Sequence, residues 1–251
     1  LVADPDRLVR RILVAEDTPV RVSIPLEGPL VKDWIHPGFE DLGWREGEGG
    51  IGYDQRGDYR ELIGVDLEED LFGKATTVLA RYNFEMAEEA TGDSLDLRLK
   101  VEDGFVAFLN GVEVGRENVG GAPEWNAEAR SRSDDTAMSW LNVDISNHMG
   151  LLKKGSNVLA VQLVNERKRS SDLLLLPELS LGTEVQGTLV KPVKGETIKA
   201  RIRYEDEWGA LLEVRPGSSR EIRPVGRGDL LISELMYHPV GPGKSAQEIG
   251  L

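Results

Sequence analysis

Four large aromatic residues are the clearest candidates for binding chemistry in this sequence: Trp44, Tyr53, Trp125 and Trp140. Sugar rings stack on exposed aromatic faces, and binding modules place one or two such rings beside polar groups. Asn126 directly follows Trp125 and would supply an amide group. The candidate ligand-binding residues are therefore Trp125, Asn126, Trp44 and Tyr53.

A structural role is the alternative for these aromatic side chains. Trp44 and Tyr53 lie in the glycine-rich stretch of residues 28–75, which has few other large apolar anchors. For these two residues the favoured interpretation is that they pin a long ordered loop onto the core, because aromatic rings of this size usually need burial. Trp125 lies in a polar stretch, so both roles stay open for it. An exposed concave platform around Trp125 would favour the binding role.

Two glycine-containing strings imitate nucleotide-binding motifs but lack the necessary context. Residues 47–52 satisfy GxGxxG, and Glu68 follows at a suitable distance. That chemistry needs a preceding strand and a following helix whose amides meet the pyrophosphate. Residues 53–58 will not start a helix, so we predict a loop without a nucleotide. Gly243-Lys244-Ser245 resembles the end of a phosphate loop, but His238 stands where its first glycine is required.

No catalytic or metal-binding pattern is present in the sequence. The three histidines, His36, His148 and His238, are far apart and outside any HExxH spacing. Neither a GxSxG elbow nor an EF-hand string occurs. Cysteine is absent, which excludes disulfides, thiolate zinc sites and cysteine nucleophiles. The sequence therefore predicts a protein that is not an enzyme and has no cofactor. No metal ligands are assigned, and structural calcium stays open because an acidic surface suits it.

The charge and hydropathy of the chain limit its partners. With 44 Asp+Glu against 30 Lys+Arg, the net charge is −14, so the surface repels phosphate backbones and nucleic acid is not an expected partner. No apolar run approaches the roughly 20 residues of a membrane span. The sequence starts at Leu1 without an initiator methionine or a signal peptide and breaks off at Leu251. We interpret it as a fragment whose targeting signal would lie elsewhere.

Alternating apolar residues predict the strands that must position the candidate residues. Residues 20–26, 78–86 and 95–101 alternate apolar and polar side chains, as half-buried antiparallel strands do. Residues 157–165 are more continuously apolar, which is typical of a central strand. Residues 105–109 and 112–116 flank Asn110-Gly111, a pair that accepts the positive φ angles of a type I′ turn. This pattern predicts a hairpin.

Other segments are predicted from weaker patterns. Apolar residues on one side of residues 6–13 predict a short helix, and a further helical turn is expected over residues 146–152 with Ser146 as its cap. Residues 171–181 predict a strand in which Pro177 requires an edge or a bulge. After Gly182, residues 198–204 and 208–214 predict another hairpin. Short strands repeated with turns between them indicate a sandwich or barrel.

The run LDLRLKVEDGFVAFLNGVEV at residues 95–114 resembles the galactose-binding-like jelly roll of very large secreted bacterial proteins. Further strings match that family in order: FEDLGW at 39–44, GGIGY at 49–53, PEWN at 123–126, GSNVLAV at 155–161 and SSDL at 170–173. IKAR at 198–201 and WGAL at 208–211 resemble a small immunoglobulin-like module. LLISELMYHP at 230–239 is similar to the opening strand of a lamin-tail domain.

The resemblance implies an all-β fold with an antiparallel two-sheet jelly-roll sandwich at its centre. The expected organisation is a connector at 1–19, the jelly roll at 20–182, a small immunoglobulin-like β module at 183–216, a linker at 217–229 and a truncated lamin-tail-like domain at 230–251. The implied function is non-catalytic binding, with carbohydrate or an extracellular polymer as ligand and neighbouring domains of the same chain as partners. A structural spacer or adhesion segment is the alternative. Both imply an extracellular or cell-surface location.

Overall fold

The computed structural model describes residues 2–3, 7–30, 32–122, 124–131, 134–185, 189–190, 202–205 and 211–214. The chain divides into two compact units. The larger comprises Asp6–Gln186, and the smaller comprises Leu1–Pro5 together with Gly187–Leu251. The larger unit contains every candidate ligand-binding residue.

Strands dominate the described residues, and the helices among them are short. The helical segments are α1 (Glu68–Leu71), α2 (Asp134–Ala137) and 3-10 turns at Lys32–Ile35, Arg60–Leu62 and Ser146–Leu151. The strands are β1 (Val2–Ala3), β2 (Arg7–Val14), β3 (Val20–Ser23), β4 (Arg45–Gly47), β5 (Gly50–Asp54), β6 (Ile63–Asp66), β7 (Thr77–Met86), β8 (Ser94–Glu102), β9 (Gly104–Leu109), β10 (Val112–Glu117), β11 (Leu141–Asp144), β12 (Gly155–Val164), β13 (Asp172–Val185), β14 (Leu189–Val190), β15 (Ile202–Glu205) and β16 (Leu211–Val214).

The larger unit is a sandwich of two sheets. Sheet I has the order β10-β9-β12-β7-β3-β4, and sheet II has the order β11-β8-β13-β5-β6, with β2 also paired to β13. The pairings are antiparallel except for the parallel pair β5 and β6. The predicted all-β, two-sheet sandwich is confirmed.

The alternation seen in the sequence places one side of each strand in the core between the sheets. In β8, Leu95, Leu97, Leu99 and Val101 are at most 1% exposed, while the residues between them are half-buried. β12 is covered on both faces. Leu159, Val161 and Leu163 join the central core, whereas Val158, Ala160 and Val164 join a second apolar cluster outside sheet I. This double burial explains the continuously apolar run and confirms β12 as a central strand.

The hairpin between β9 and β10 turns at the predicted residues. Asn110 and Gly111 have φ angles of 50° and 94°, as a type I′ turn requires at both central positions. The Asn110 side chain also fastens the turn to β12. Its Oδ1 accepts a hydrogen bond from the Val158 amide at 2.9 Å, and its Nδ2 donates to the Leu151 carbonyl at 2.7 Å.

Pro177 lies at a local edge, as predicted. It pairs with Leu99 of β8 on one side of β13. On the other side, β5 pairs with β13 as far as Leu175, and β2 begins its pairing at Leu179. A proline without an amide hydrogen fits the gap between those two neighbours.

The helix predicted over residues 6–13 is wrong, because this segment forms β2. β13 is longer than β5, and β2 pairs with the part of β13 that β5 leaves open. Val9 and Ile12, which the helical pattern placed toward a core, are 44% and 46% exposed, and Val14 is buried. Pairing with a distant strand overrides the local pattern here.

The 3-10 turn at Ser146–Leu151 confirms the predicted helical segment but corrects its cap. Ile145 occupies the N-cap position. The Ser146 hydroxyl instead donates to Asp144 and accepts a hydrogen bond from the Leu95 amide at 3.0 Å. The serine therefore ties the turn to β8 and does not cap it.

The glycine-rich stretch of residues 28–75 is ordered, but the prediction of one long loop is wrong. It contains β4, β5, β6 and two short 3-10 turns. The GxGxxG string lies in β4 and β5, where the chain passes very close to neighbouring backbone. A Cβ on Gly50 would lie 2.4 Å from the Leu62 carbonyl oxygen, and one on Gly52 would lie 1.8 Å from the Leu173 carbonyl oxygen. Because these glycines have no side chain, the neighbouring backbone can pack directly against β5.

Short strand pairs are described in the smaller unit. β1 pairs with β14, and β15 pairs with β16 with Ile202 opposite Val214. The predicted hairpin in this region is present over those residues. The predicted linker at 217–229 and the lamin-tail-like segment at 230–251 lie outside the described residues.

Candidate ligand-binding groove

A groove of about 480 Å³ opens on the outer side of sheet I. Its volume falls within the range of about 300–1,000 Å³ typical of ligand sites. We call it the His36 groove. Its lining combines two rings, a Pro-Gly turn and two carboxylates: Asp33, His36, Pro37, Gly38, Phe39 and Glu40.

An aromatic cluster supports the groove from behind. The Phe39 ring packs edge-on against Trp44, with 5.8 Å between ring centroids. Trp44 lies 6.4 Å from Trp34, and Trp34 packs edge-on against Phe108 of β9 at 5.9 Å. Because Trp34 is buried in the outer cluster of sheet I, these contacts fix the groove segment to the sheet.

Arg81 of β7 holds the groove segment from below. Its side chain is 1% exposed, and its Nε donates to Asp41 Oδ2 at 2.7 Å. Its Nη1 donates to the carbonyl oxygens of Trp34 and His36. The guanidinium also lies 5.2 Å from the Phe39 ring centroid. One buried cation therefore fixes both ends of the segment that lines the groove.

The turn between β9 and β10 supports the His36 side. A Cβ built on Gly111 would lie 2.1 Å from Cε1 of His36, so the imidazole ring packs directly over this glycine. The same residue needs a positive φ angle for the turn. Gly111 therefore serves both the hairpin and the seating of His36.

Two carboxylates of the larger unit, Asp41 behind the groove and Asp54 at the end of β5, are held in their ionised form. Burial alone would raise the pKa of Asp41, but hydrogen bonds from Arg81 and Asn83 and the charges of Arg81 and Arg21 outweigh it and lower the pKa. Burial would likewise raise the pKa of Asp54. The backbone amides of Tyr59, Gly57 and Arg56 outweigh it and lower the pKa. Both carboxylates stabilise the folded chain as anions.

We expect the free energy of unfolding to fall in acid because of these two groups. A carboxyl whose folded pKa lies below its ordinary value of 3.8 contributes stability that is complete above that value. The contribution is lost as the pH falls through the lowered folded pKa. Urea unfolding measured from about pH 7 to about pH 2 should show this loss. Asp54→Asn should make the acid limb shallower than in the wild type, and an unchanged acid limb would contradict the assignment.

The structure separates the four sequence-predicted site residues. Tyr53 is 1% exposed in the core, where its hydroxyl donates to the Ser170 carbonyl at 2.8 Å. Burial raises its pKa to about 12, so the hydroxyl keeps its proton. Its ring face is not available to a ligand. Trp44 is half-buried and supports the groove through Phe39 without lining it.

Trp125 and Asn126 lie in a turn outside sheet I, and neither residue lines the His36 groove. Trp125 is half-buried and Asn126 is exposed. The turn is fastened by Gln162 of β12, whose side-chain amide donates to the Glu124 carbonyl at 2.7 Å. Trp140 lies elsewhere. Its ring contacts two cations of β8, with Arg98 at 4.5 Å and Lys100 at 5.0 Å from the centroid.

The sequence prediction therefore missed the residues that line the groove. From the sequence, His36 is assigned no ligand-binding role, because it stands outside any metal-ligand spacing, and Phe39 is named only as part of the FEDLGW string. A usable signal was the density of aromatic and acidic residues in DWIHPGFEDLGW, residues 33–44, around a Pro-Gly turn.

A second cavity lies between the edges of the two sheets. It has a volume of about 250 Å³ and joins an apolar floor to a charged rim. Arg45 on that rim is already bound to Asp70 at 3.4 Å and to the Asp66 carbonyl at 2.8 Å. This cavity is a weaker ligand site than the His36 groove, because its volume is small and the Arg45 side chain on its rim is already hydrogen-bonded within the protein.

The described residues contain neither a metal-ligand cluster nor a membrane-spanning helix. Within them, no group of three or more histidine, aspartate or glutamate side chains is placed to hold a metal ion. Over the same residues, no helix is long and apolar enough to cross a membrane.

No protein family model and no curated protein sequence matches this chain. Solved structures with similarity to it include a β-glucuronidase from Bacteroides uniformis, at 16% identity and a TM-score of 0.40 over 68% of this chain and 18% of that chain. A β-glucuronidase of glycoside hydrolase family 2 has 13% identity and a TM-score of 0.40 over 71% of this chain and 18% of its own. A β-glycosidase from Bacteroides vulgatus has 13% identity and a TM-score of 0.37, over 68% and 20%. The chain thus spans about a fifth of their length.

Proposed function

We propose that this chain is a non-catalytic carbohydrate-binding module of a larger extracellular or cell-surface protein, and that the His36 groove is its ligand site. The observation that carries the proposal is the combination of ring faces and carboxylates in one groove of ligand size. Phe39 and His36 supply flat surfaces on which the apolar face of a sugar can stack. Asp33 and Glu40 supply oxygens that accept hydrogen bonds from sugar hydroxyls.

The rigid support of the groove favours binding. The Phe39 ring is held between Trp44 and the Arg81 guanidinium. Arg81 also binds the carbonyl groups of Trp34 and His36 before the turn and the Asp41 carboxylate after it. A site built in advance loses less conformational entropy when the ligand binds. The open shape of the groove suits part of a longer glycan.

The charge state of the buried carboxylate behind the groove does not suit it to act as a general acid. A general acid for glycoside chemistry needs a carboxyl with a raised pKa. Asp41, which lies behind the groove, has a lowered pKa because of Arg81 and Asn83, which outweigh its burial. The resemblance of residues 20–182 to galactose-binding-like jelly rolls supports the same proposal and the extracellular location. A role as a structural spacer is the alternative, and it predicts that the chain binds no glycan.

The proposal is tested by replacing the two groove carboxylates with their uncharged isosteres. A glycan array, run with and without calcium, first identifies a ligand for the wild-type chain. Asp33→Asn with Glu40→Gln should then weaken binding of that ligand by about tenfold or more in calorimetry. Each lost charge-assisted hydrogen bond contributes about 1.5–3 kcal/mol.

The matched control is Asp58→Asn with Glu61→Gln, which makes the same change of charge on exposed residues of the loop after β5. It should leave the affinity within about twofold. An array without any bound glycan would favour the spacer alternative. Equal losses in the two double variants would show that the groove carboxylates do not contact the ligand.

A further inference from the structure

The loop between β12 and β13 carries three consecutive basic residues, Arg167, Lys168 and Arg169. All three side chains are exposed. The chain as a whole has a net charge of −14, so this loop presents charge opposite to that of the average surface. A charge reversal of this kind changes which partners the surface attracts.

The backbone of this loop is fixed by hydrogen bonds from three other segments. The Gly73 amide donates to the Lys168 carbonyl at 2.6 Å, and the Tyr53 hydroxyl donates to the Ser170 carbonyl at 2.8 Å. The Glu166 amide donates to Asp103 Oδ2 at 2.7 Å. The loop is therefore held in one conformation while its basic side chains project outward.

The Gly73 contact brings a fourth basic residue, Lys74, beside the loop. We call Lys74, Arg167, Lys168 and Arg169 the basic tip. Arg167 pairs with Glu166 at 2.9 Å, and Lys74 donates to the Glu69 carbonyl at 2.6 Å. Lys168 and Arg169 have no ion pair among the described residues, so their charges are available to a ligand.

We propose that the basic tip binds an anionic polysaccharide, a chain that carries carboxylate or sulfate groups at repeating positions. Adjacent cations match repeated anions, and the planar guanidinium groups of arginine bind such oxyanions in a bidentate manner. A narrow chain can contact the tip alone. A nucleic-acid duplex is wide enough to meet the surface beyond the tip as well, and the chain's net charge of −14 would repel it. This surface is separate from the His36 groove, and the proposal does not depend on the groove.

Charge reversal at the tip tests the proposal with the full chain. The probes are polygalacturonate and dextran sulfate, with uncharged dextran as the reference glycan. Lys168→Glu with Arg169→Glu should weaken binding of both anionic probes by about tenfold or more at low salt. Binding by the wild type should also weaken as the salt concentration rises, because exposed charges are screened.

Lys153→Glu with Lys154→Glu is the matched control. These exposed lysines precede β12, whereas the basic tip follows it, and a ten-residue strand separates the two positions by about 30 Å. The control makes the same change in net charge and should leave the affinity within about twofold. Equal losses in both double variants would show a general charge effect and overturn the proposal.

Two further outcomes would also overturn it. Binding of uncharged dextran as strong as that of the anionic probes would exclude recognition of charge. Binding of single-stranded or duplex DNA as tight as that of the polysaccharides would exclude the polysaccharide assignment. Asp33→Asn with Glu40→Gln should leave binding at the tip unchanged, so failure of the groove proposal and failure of this one are distinguishable.

Discussion

Replacement of Gly52 by alanine is expected to leave the larger unit unable to fold. The added Cβ would lie 1.8 Å from the Leu173 carbonyl oxygen in the adjacent strand, and φ at this residue is +144°. To relieve this contact, β5 would have to move away from β13 at the point where Gly52 pairs with Leu174. Backbone strain and overpacking each cost about 1–3 kcal/mol, and here they act together in the middle of a sheet. Circular dichroism and urea unfolding measure the result.

Two other glycines provide controls of graded severity. Gly57 has a positive φ angle of 93° but open space around it, so alanine there should cost about 1 kcal/mol from backbone strain alone. Gly120 has open space and no such φ angle, and Gly120→Ala should be nearly neutral. A folded Gly52→Ala variant with stability near that of Gly120→Ala would contradict the close approach of β5 and β13.

The second large effect is expected from Arg81→Met. This substitution keeps an unbranched side chain but removes the cation that faces Asp41 and the carbonyl oxygens of Trp34 and His36. Removal of one partner from a buried ion pair costs about 3–5 kcal/mol, because the other charge stays buried without its partner. Arg21 still contacts Asp41 at 2.9 Å, which places the expected loss near the lower end of that range. Urea unfolding at neutral pH gives the free energy of unfolding.

Arg45→Met is the matched control for Arg81→Met. Arg45 is half-exposed and pairs with an exposed carboxylate of Asp70, so its replacement should cost less than about 1 kcal/mol. If both variants lost the same stability, Arg81 would not be the central support of the groove segment. A folded Arg81→Met variant should also bind the groove ligand more weakly, since the carbonyl groups of Trp34 and His36 would no longer be held.

The parts of the fold that were predictable depend on local patterns. The exposure of β8 alternates as its sequence does, because one face meets the core and the other meets water. Asn110-Gly111 determines the hairpin through two positive φ angles that few other residue pairs accept. Pro177 limits the pairing of β13 because it has no amide hydrogen to donate.

The features that were missed depend on contacts between distant residues. The sequence of β2 does not reveal that β13 extends beyond β5 and needs another neighbour. The glycines of β5 favour a loop when only the sequence is considered, and their role becomes clear from the backbone of Leu173, which lies against Gly52. The His36 groove depends on Arg81, which lies 45 residues away from His36 and alternates with apolar neighbours like any charged residue of a strand.

The placement of β13 has a consequence for the order of folding during synthesis. This one strand pairs with β2, β5 and β8, all of which leave the ribosome before it. Sheet II therefore lacks its central strand until nearly the whole unit has been translated. Until then, the edges of β5 and β8 that will face β13 expose unpaired backbone amide and carbonyl groups. A nascent chain that stops before Asp172 would leave β2 without its partner in sheet II and would leave one edge of β5 and one edge of β8 unpaired, which is the state most open to chaperone binding and to aggregation. Completion of the sandwich is thus a late event, controlled by a single stretch of 14 residues near the end of the unit.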